Sequence, residues 1–105
     1  MTAYRVSDYR VIDGDTVEAT LELGFGISYT AAIRLIGVSA PEIDTAEGRT
    51  TKAKLTDYLQ AESLVCDTDG SGSFGRILGR FVADGVDINQ QLIEEHFATV
   101  YKARN

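Results

Sequence analysis

Val11-Ile12-Asp13-Gly14-Asp15-Thr16-Val17-Glu18-Ala19-Thr20-Leu21-Glu22-Leu23 is the stretch on which the fold turns. Asp-Gly stands between two apolar arms, and glycine reaches positive φ at low cost, so the centre reads as a tight bend between antiparallel strands. Beyond the bend, strict alternation places Val17, Ala19, Leu21 and Leu23 on one side of a half-buried strand. The bend also aims two carboxylates, Asp13 and Asp15, from one point. Acidic turn residues commonly bond their own backbone. Alone, the stretch is therefore compatible with a site or with a plain turn.

Working outward, Tyr4 to Ile12 reads as the first strand, with Tyr4, Val6 and Asp8 on one face and a bulge or change of face at Val11-Ile12. Gly24-Phe25-Gly26 is a wide hairpin connection, its Phe25 covering the core edge or standing at a rim. Ile27 to Gly37 forms the third strand. Ile33, Leu35 and Gly37 oppose Arg34, Ile36 and Val38, so both faces are apolar and the strand is central. Arg34 is its anomaly. Pro41 ends the strand and biases Ala40 toward an extended conformation. From Thr45 the period becomes helical, with Ala53, Leu55, Tyr58 and Leu59 as the apolar stripe and Glu47-Gly48 blurring the start. Leu64 to Cys66 is a fourth strand. Asp67-Thr68-Asp69-Gly70-Ser71-Gly72-Ser73 is a loop; it opens like a calcium-binding loop but lacks the glutamate expected at the twelfth position. Ile77 to Val82 is the fifth strand, and Ala83-Asp84-Gly85-Val86 a tight turn. Asp87 is expected to cap a second helix, with Gln90 as its capping-box partner and Ile88, Leu92, Ile93 and Phe97 buried. His96 falls near the C-terminus of that helix, where positive charge is comfortable. Tyr101 to Asn105 is a tail. This order describes an α+β chain: a five-stranded, partly open barrel with two helices closing its ends.

The 105 residues make one domain, 1–105, around one core. Sixteen acidic residues against ten Lys and Arg leave a formal charge of −6, which argues against a wide basic face gripping a long nucleic-acid backbone. A small local anion site remains compatible with it. No apolar run reaches the roughly 20 residues of a membrane span. The N-terminus has neither the basic region nor the apolar run of a signal peptide, which fits a cytoplasmic protein or one released from a trimmed precursor. Cys66 is the only cysteine and reads as a buried thiol; with one Cys and one His, a zinc finger is excluded.

Three groups stand out against this frame: Asp15 after the bend, Arg34 inside an apolar strand, and Glu42 just past the proline. Arg76 follows Phe74-Gly75 at the mouth of the glycine-rich loop. Arginine offers rigid, bidentate donors to phosphate. Carboxylates hold a hard cation or take a proton from water. Together they describe a phosphodiester clamp with a metal and a base. The same residues also make an ordinary pair of salt bridges, with Arg34 paired to Glu42 across the bend at Pro41.

The sequence resembles the staphylococcal nuclease family, also called thermonuclease-like domains. The resemblance rests on Ile12-Asp13-Gly14-Asp15-Thr16-Val17, on Arg34-Leu35-Ile36-Gly37-Val38 leading to Ala40-Pro41-Glu42, and on Gly75-Arg76, with matching element order from Tyr4 to Phe97. It implies an OB-type barrel and a calcium-dependent endonuclease that cuts DNA and RNA at the 5′ P–O bond. It implies Asp15 as a metal ligand, with Asp13 shaping the turn and the local charge. It implies Arg34 and Arg76 on the phosphate and its transition state, and Glu42 as general base. The expected substrate is single-stranded or locally unpaired DNA or RNA, and the expected protein a monomer.

The chain departs from the family's pattern in several places. A second metal-binding aspartate usually follows the strand; here that position is Ser39, a neutral and poorer ligand. Ala40 stands where threonine is common, a smaller change because the group supplied there is a backbone carbonyl. Phe74 replaces a tyrosine, and Ser73 stands where the staphylococcal enzyme has a lysine. Tyr101 loosely matches a substrate-stacking tyrosine, and the chain ends before the long C-terminal helix. Three readings follow: a working nuclease with weakened calcium affinity, a nuclease-like module that binds nucleic acid or protein without cutting, and a small domain whose motifs serve stability alone.

Overall fold

A computed structural model describes residues 1–72 and 75–101. Ser73 and Phe74, with the substitutions noted for them, and the tail from residue 102 onward lie outside the described residues. The elements run β1 (Thr2–Asp13), β2 (Thr16–Gly24), β3 (Ile27–Leu35), β4 (Val38–Ser39), α1 (Ala46–Leu59), β5 (Leu64–Thr68), β6 (Arg76–Ala83), β7 (Val86–Asp87), α2 (Ile88–Glu94) and β8 (Thr99–Val100). The five long strands are ordered β3-β2-β1-β5-β6, and a parallel pairing of β3 with β6 closes the ring into a barrel. β3 therefore has a partner on each side, as its two-faced apolar sequence requires.

Side-chain alternation fills the barrel. Val17, Ala19 and Leu21 of β2 and Ile33 and Leu35 of β3 point inward and are buried together with Cys66 and Phe81. At the seam, Gly79 of β6 leaves room for its neighbours: an added Cβ would lie 2.7 Å from both Cys66 Sγ and Ile33 Cγ2. Asn89 at the start of α2 secures the same region from outside. Its side-chain oxygen accepts from Phe81 N–H at 3.1 Å, and its amide donates to the carbonyls of Ile36 (3.0 Å) and Gly79 (3.2 Å).

Several local expectations change. In β1 the register with β2 slips between Val6 and Asp8 and again between Val11 and Asp13. The second slip is the anticipated bulge. The first was not visible in the sequence; it turns Tyr9 and Val11 inward and leaves Asp8 exposed. Leu23 is exposed because β2 runs past the barrel rim, and Phe25 stands in solvent at the tip. β3 ends at Leu35; Gly37 turns the chain at φ 74°, and Val38 enters the separate ribbon β4–β8. On α1 the buried stripe is Gly48, Thr51, Leu55 and Leu59, whereas Ala53 is exposed. Thr51 tolerates burial because its hydroxyl donates to the carbonyls of Phe97 (2.6 Å) and Glu47 (3.1 Å). Asp87 caps α2 by accepting from Gln90 N–H at 3.1 Å, but the Gln90 side chain turns to Glu94 instead of closing a capping box.

Candidate functional site

The bend at Asp13–Asp15 is built differently from the sequence expectation. Gly14 is not among the glycines with positive φ. Its missing side chain answers a packing need: an added Cβ would sit 2.6 Å from Thr51 Cγ2 and 2.7 Å from Ala40 Cβ. The bend is thus pressed between α1 and the segment before Pro41, and that pressure fixes where Asp15 points. The Asp15 N–H donates to Asp13 Oδ1 at 3.1 Å. Asp15 Oδ2 accepts from Ala40 N–H at 3.0 Å and lies 3.8 Å from Arg34 Nη2. Both members of that ion pair are largely covered, with side-chain exposures of 16% for Arg34 and 18% for Asp15.

Strand register brings in the second arginine. Ile33 and Leu35 face inward, so Arg34 faces out, opposite Thr16 on β2. Across the closing seam, Ala32 pairs with Arg76 and Arg34 with Leu78. Arg34 and Arg76 therefore share one outer face of the barrel. Arg76 Nη1 reaches Thr16 Oγ1 at 3.5 Å, and that hydroxyl donates to Asp15 Oδ1 at 3.3 Å. Thr16, buried on β2 opposite Arg34, links Arg76 to the Asp15 carboxylate. Sequence reading passed over it, since its position opposite Arg34 emerges only from the register.

Asp13, Asp15, Ala40, Arg34 and, through Thr16, Arg76 are thus brought together. Glu42 and Ser39 bond through their backbone carbonyls, and neither side chain makes a hydrogen bond or ion pair among the described residues. The pairing of Arg34 with Glu42 expected from the stability reading is absent among the described residues; Arg34 pairs with Asp15 instead. Glu42 is exposed, and its backbone is held firmly. Its carbonyl accepts from Thr45 N–H (3.0 Å) and the Thr45 hydroxyl (2.6 Å), and Thr45 in turn caps α1 through Gly48 N–H at 3.0 Å. Gly48 is needed here because any Cβ would collide with the Glu42 carbonyl. The residue that blurred the helix start is the one that lets the helix abut Glu42.

The electrostatics carry their own signal. Burial, reinforced by the adjacent Asp15 carboxyl, raises the pKa of Asp13 above the usual aspartate value. Two carboxylates held this close favour either a shared proton or a cation. No group of three or more His, Cys, Asp or Glu side chains gathers for a metal among the described residues. Burial pushes the Cys66 thiol up to about 12, which removes it as a nucleophile. Strand β5 runs to Thr68, so the loop expected from Asp67 begins at Asp69; there Asp69 turns back to accept from Ser71 N–H at 2.8 Å, and the Thr68 hydroxyl donates to the Leu78 carbonyl at 2.6 Å.

Tyr101, expected in the tail, belongs to this face. Its N–H donates to the Gly37 carbonyl at 2.9 Å, and its ring centroid lies 5.2 Å from Arg34 Cζ.

Residues 32–105 match the family model described as staphylococcal nuclease homologue. The chain belongs to the staphylococcal nuclease family. The matched region holds Arg34, Glu42 and Arg76, and it begins after the Asp13–Asp15 bend. Among curated proteins, the chain is 32% identical over 71 residues to the "Probable staphylococcal-like nuclease CAN1" of Oryza sativa subsp. japonica. That alignment covers 68% of this chain and 22% of the rice protein's length. The closed five-stranded barrel with two helices is the fold expected of a family member. No helix among the described residues is long and apolar enough to cross a membrane.

Proposed function

We propose that this staphylococcal nuclease family domain is a metal-dependent phosphodiesterase that cuts single-stranded or locally unpaired DNA or RNA at the 5′ P–O bond. The observation that carries the reading is the parallel β3–β6 seam, which sets Arg34 and Arg76 on one face beside Asp15. Two guanidiniums converging on a phosphodiester offer donors to its non-bridging oxygens. They stabilise the charge that grows there in the transition state more than the charge of the bound substrate. Glu42, exposed and free of partners among the described residues, takes a proton from the attacking water. Water adds to phosphorus as Glu42 takes its proton, the bond to the 5′ oxygen breaks, that oxygen takes a proton from solvent and leaves as a hydroxyl, and the phosphate stays on the 3′ side.

The donors present suit a hard cation, and calcium is the cofactor proposed. Asp15 and Asp13 supply carboxylate oxygens, Ala40 a carbonyl and Ser39 a hydroxyl, all hard ligands. The raised pKa of Asp13, caused first by burial and then by Asp15, supports this, because a cation would compensate the charge held there. With Ser39 in place of a carboxylate, affinity is expected to be lower than a three-carboxylate site gives. When bound, calcium supplies positive charge that offsets the charge developing on the phosphate.

The test is hydrolysis of denatured DNA across a calcium series reaching tens of millimolar, with an EDTA control and Glu42→Gln purified identically. Calcium-dependent cutting that falls by at least a hundredfold in Glu42→Gln establishes the reading. Equal traces from both proteins refute it. One observation favours a binding module instead: no three-carboxylate cluster forms among the described residues. A protein that retains phosphodiester affinity, shows no calcium-dependent turnover and is unaffected by Glu42→Gln is that module.

A further inference from the structure

Arg34 is held on three sides. Nη1 donates to the Leu35 carbonyl at 2.9 Å, Nη2 faces Asp15 Oδ2 at 3.8 Å, and Cζ lies over the Tyr101 ring, 5.2 Å from its centroid. The guanidinium carries five N–H donors in one plane, so two internal partners leave an edge free for a ligand. The bond to Leu35 fixes one corner only. A planar group pinned at a corner still tilts, and a bidentate phosphate contact depends on the plane being right. The ring limits that tilt, because a guanidinium over an aromatic face is attracted to the ring and cannot swing through it.

Tyr101 is itself well placed to do this. The ribbon β4–β8 pairs Val38 with Val100 and Ser39 with Thr99, and the Tyr101 N–H extends it to Gly37. Just past β4, the Ala40 N–H donates to Asp15 Oδ2. One short ribbon thereby grips both members of the Arg34–Asp15 pair. Half of Tyr101 remains exposed (53%), so the ring borders the open face instead of being core.

We propose that Tyr101 is a positioning residue for Arg34, fixing the plane of its guanidinium for an incoming phosphodiester. This rests on the nuclease reading of the same face, and it differs from a ring that stacks on a nucleic-acid base. The two roles separate on a substrate without bases.

The experiment compares wild type, Tyr101→Leu and Tyr101→Phe on a thymidine oligonucleotide and on an abasic strand of equal length, alone and in an Arg34→Lys background. Tyr101→Leu is expected to lower kcat about tenfold on both strands, with a smaller change in KM. Tyr101→Phe, which keeps the ring, restores most of the rate. In Arg34→Lys the Leu substitution adds little, since the group it acts through is gone. A loss confined to the thymidine strand, or a full extra loss in Arg34→Lys, overturns the proposal. A second readout is independent of turnover: the Arg34 Nε–Hε resonance, shifted by the ring, moves in Tyr101→Leu and stays in Tyr101→Phe. If the wild type does not cut, the nuclease reading fails by itself. Titration with dimethyl phosphate followed at that resonance then decides this proposal, with weaker binding in the Leu variant supporting it and equal binding in all three overturning it.

Discussion

Gly14 and Asp13 show how much of the candidate site depends on single atoms. Gly14→Ala would press a methyl group against Thr51 and Ala40 at separations of 2.6 and 2.7 Å. Overpacking of this kind costs about 1–3 kcal/mol, so urea unfolding of Gly14→Ala is expected to lose that much and the proposed nuclease activity to fall with the displaced Asp15. Asp13 makes a prediction about pH. Its folded-state pKa is raised, mainly by burial and then by Asp15, so the folded state holds that proton more tightly than the unfolded chain does. The stability it contributes is full below the unfolded-chain value of about 3.8 and is lost as pH rises through the folded-state pKa. Asp13→Asn removes this loss while keeping an oxygen to accept from Asp15 N–H. Without calcium, its melting temperature is expected to exceed that of wild type at neutral pH, with the gap closing as pH falls. Scanning calorimetry across that range checks it; a gap that widens on acidification would overturn the assignment.

At the scale of elements, the end of α2 is informative. His96 adopts φ 65° just past the helix, its N–H donating to Ile93 and that of Phe97 to Leu92. This is a Schellman-type stop, in which the residue after the cap is usually glycine. The histidine is exposed and stands in the left-handed region at a cost of order 1–2 kcal/mol for an L-residue. His96→Gly is therefore expected to raise stability by about 1 kcal/mol, read from the shift of the urea midpoint at unchanged slope. Helix α2 has a further anchor in Tyr58, whose hydroxyl donates to Glu95 and whose pKa is raised to about 12 by burial and that carboxylate. Both devices set the path into β8, and so the position of Tyr101.

Across the whole molecule, the decisive feature is the closure of β3 on β6. It joins residues more than forty positions apart and creates the two-arginine face. Asn89 guards that closure by filling three backbone groups at once. Asn89→Ala leaves buried partners such as the Phe81 N–H without a bond, and each such group costs about 1–3 kcal/mol. The variant is expected to lose about 3 kcal/mol in denaturant unfolding. Its residual folded fraction should also show weakened phosphodiester binding, because the seam carries Arg76.

Much was legible without coordinates. The alternation of Val17, Ala19 and Leu21, the two apolar faces of Ile27–Leu35 and the cap at Asp87 are local patterns, governed by side-chain period and backbone hydrogen bonding over a few residues. They determined the five long strands, both helices and the barrel class, and the Asp-Gly-Asp and Arg34-to-Glu42 stretches marked the candidate site. Tertiary structure decided what no short window encodes. The slip at Ser7, the role of Gly14, the burial of Thr51 and Gly48 and the exposure of Ala53 all depend on which distant surface arrives against each residue. Above all, the register of β2 on β3 decided that Arg34 meets Asp15, and that of β3 on β6 that Arg34 shares a face with Arg76. Register between distant strands is a long-range choice, made by packing at Gly79 and bonding at Asn89, and the chemistry of the face follows from it.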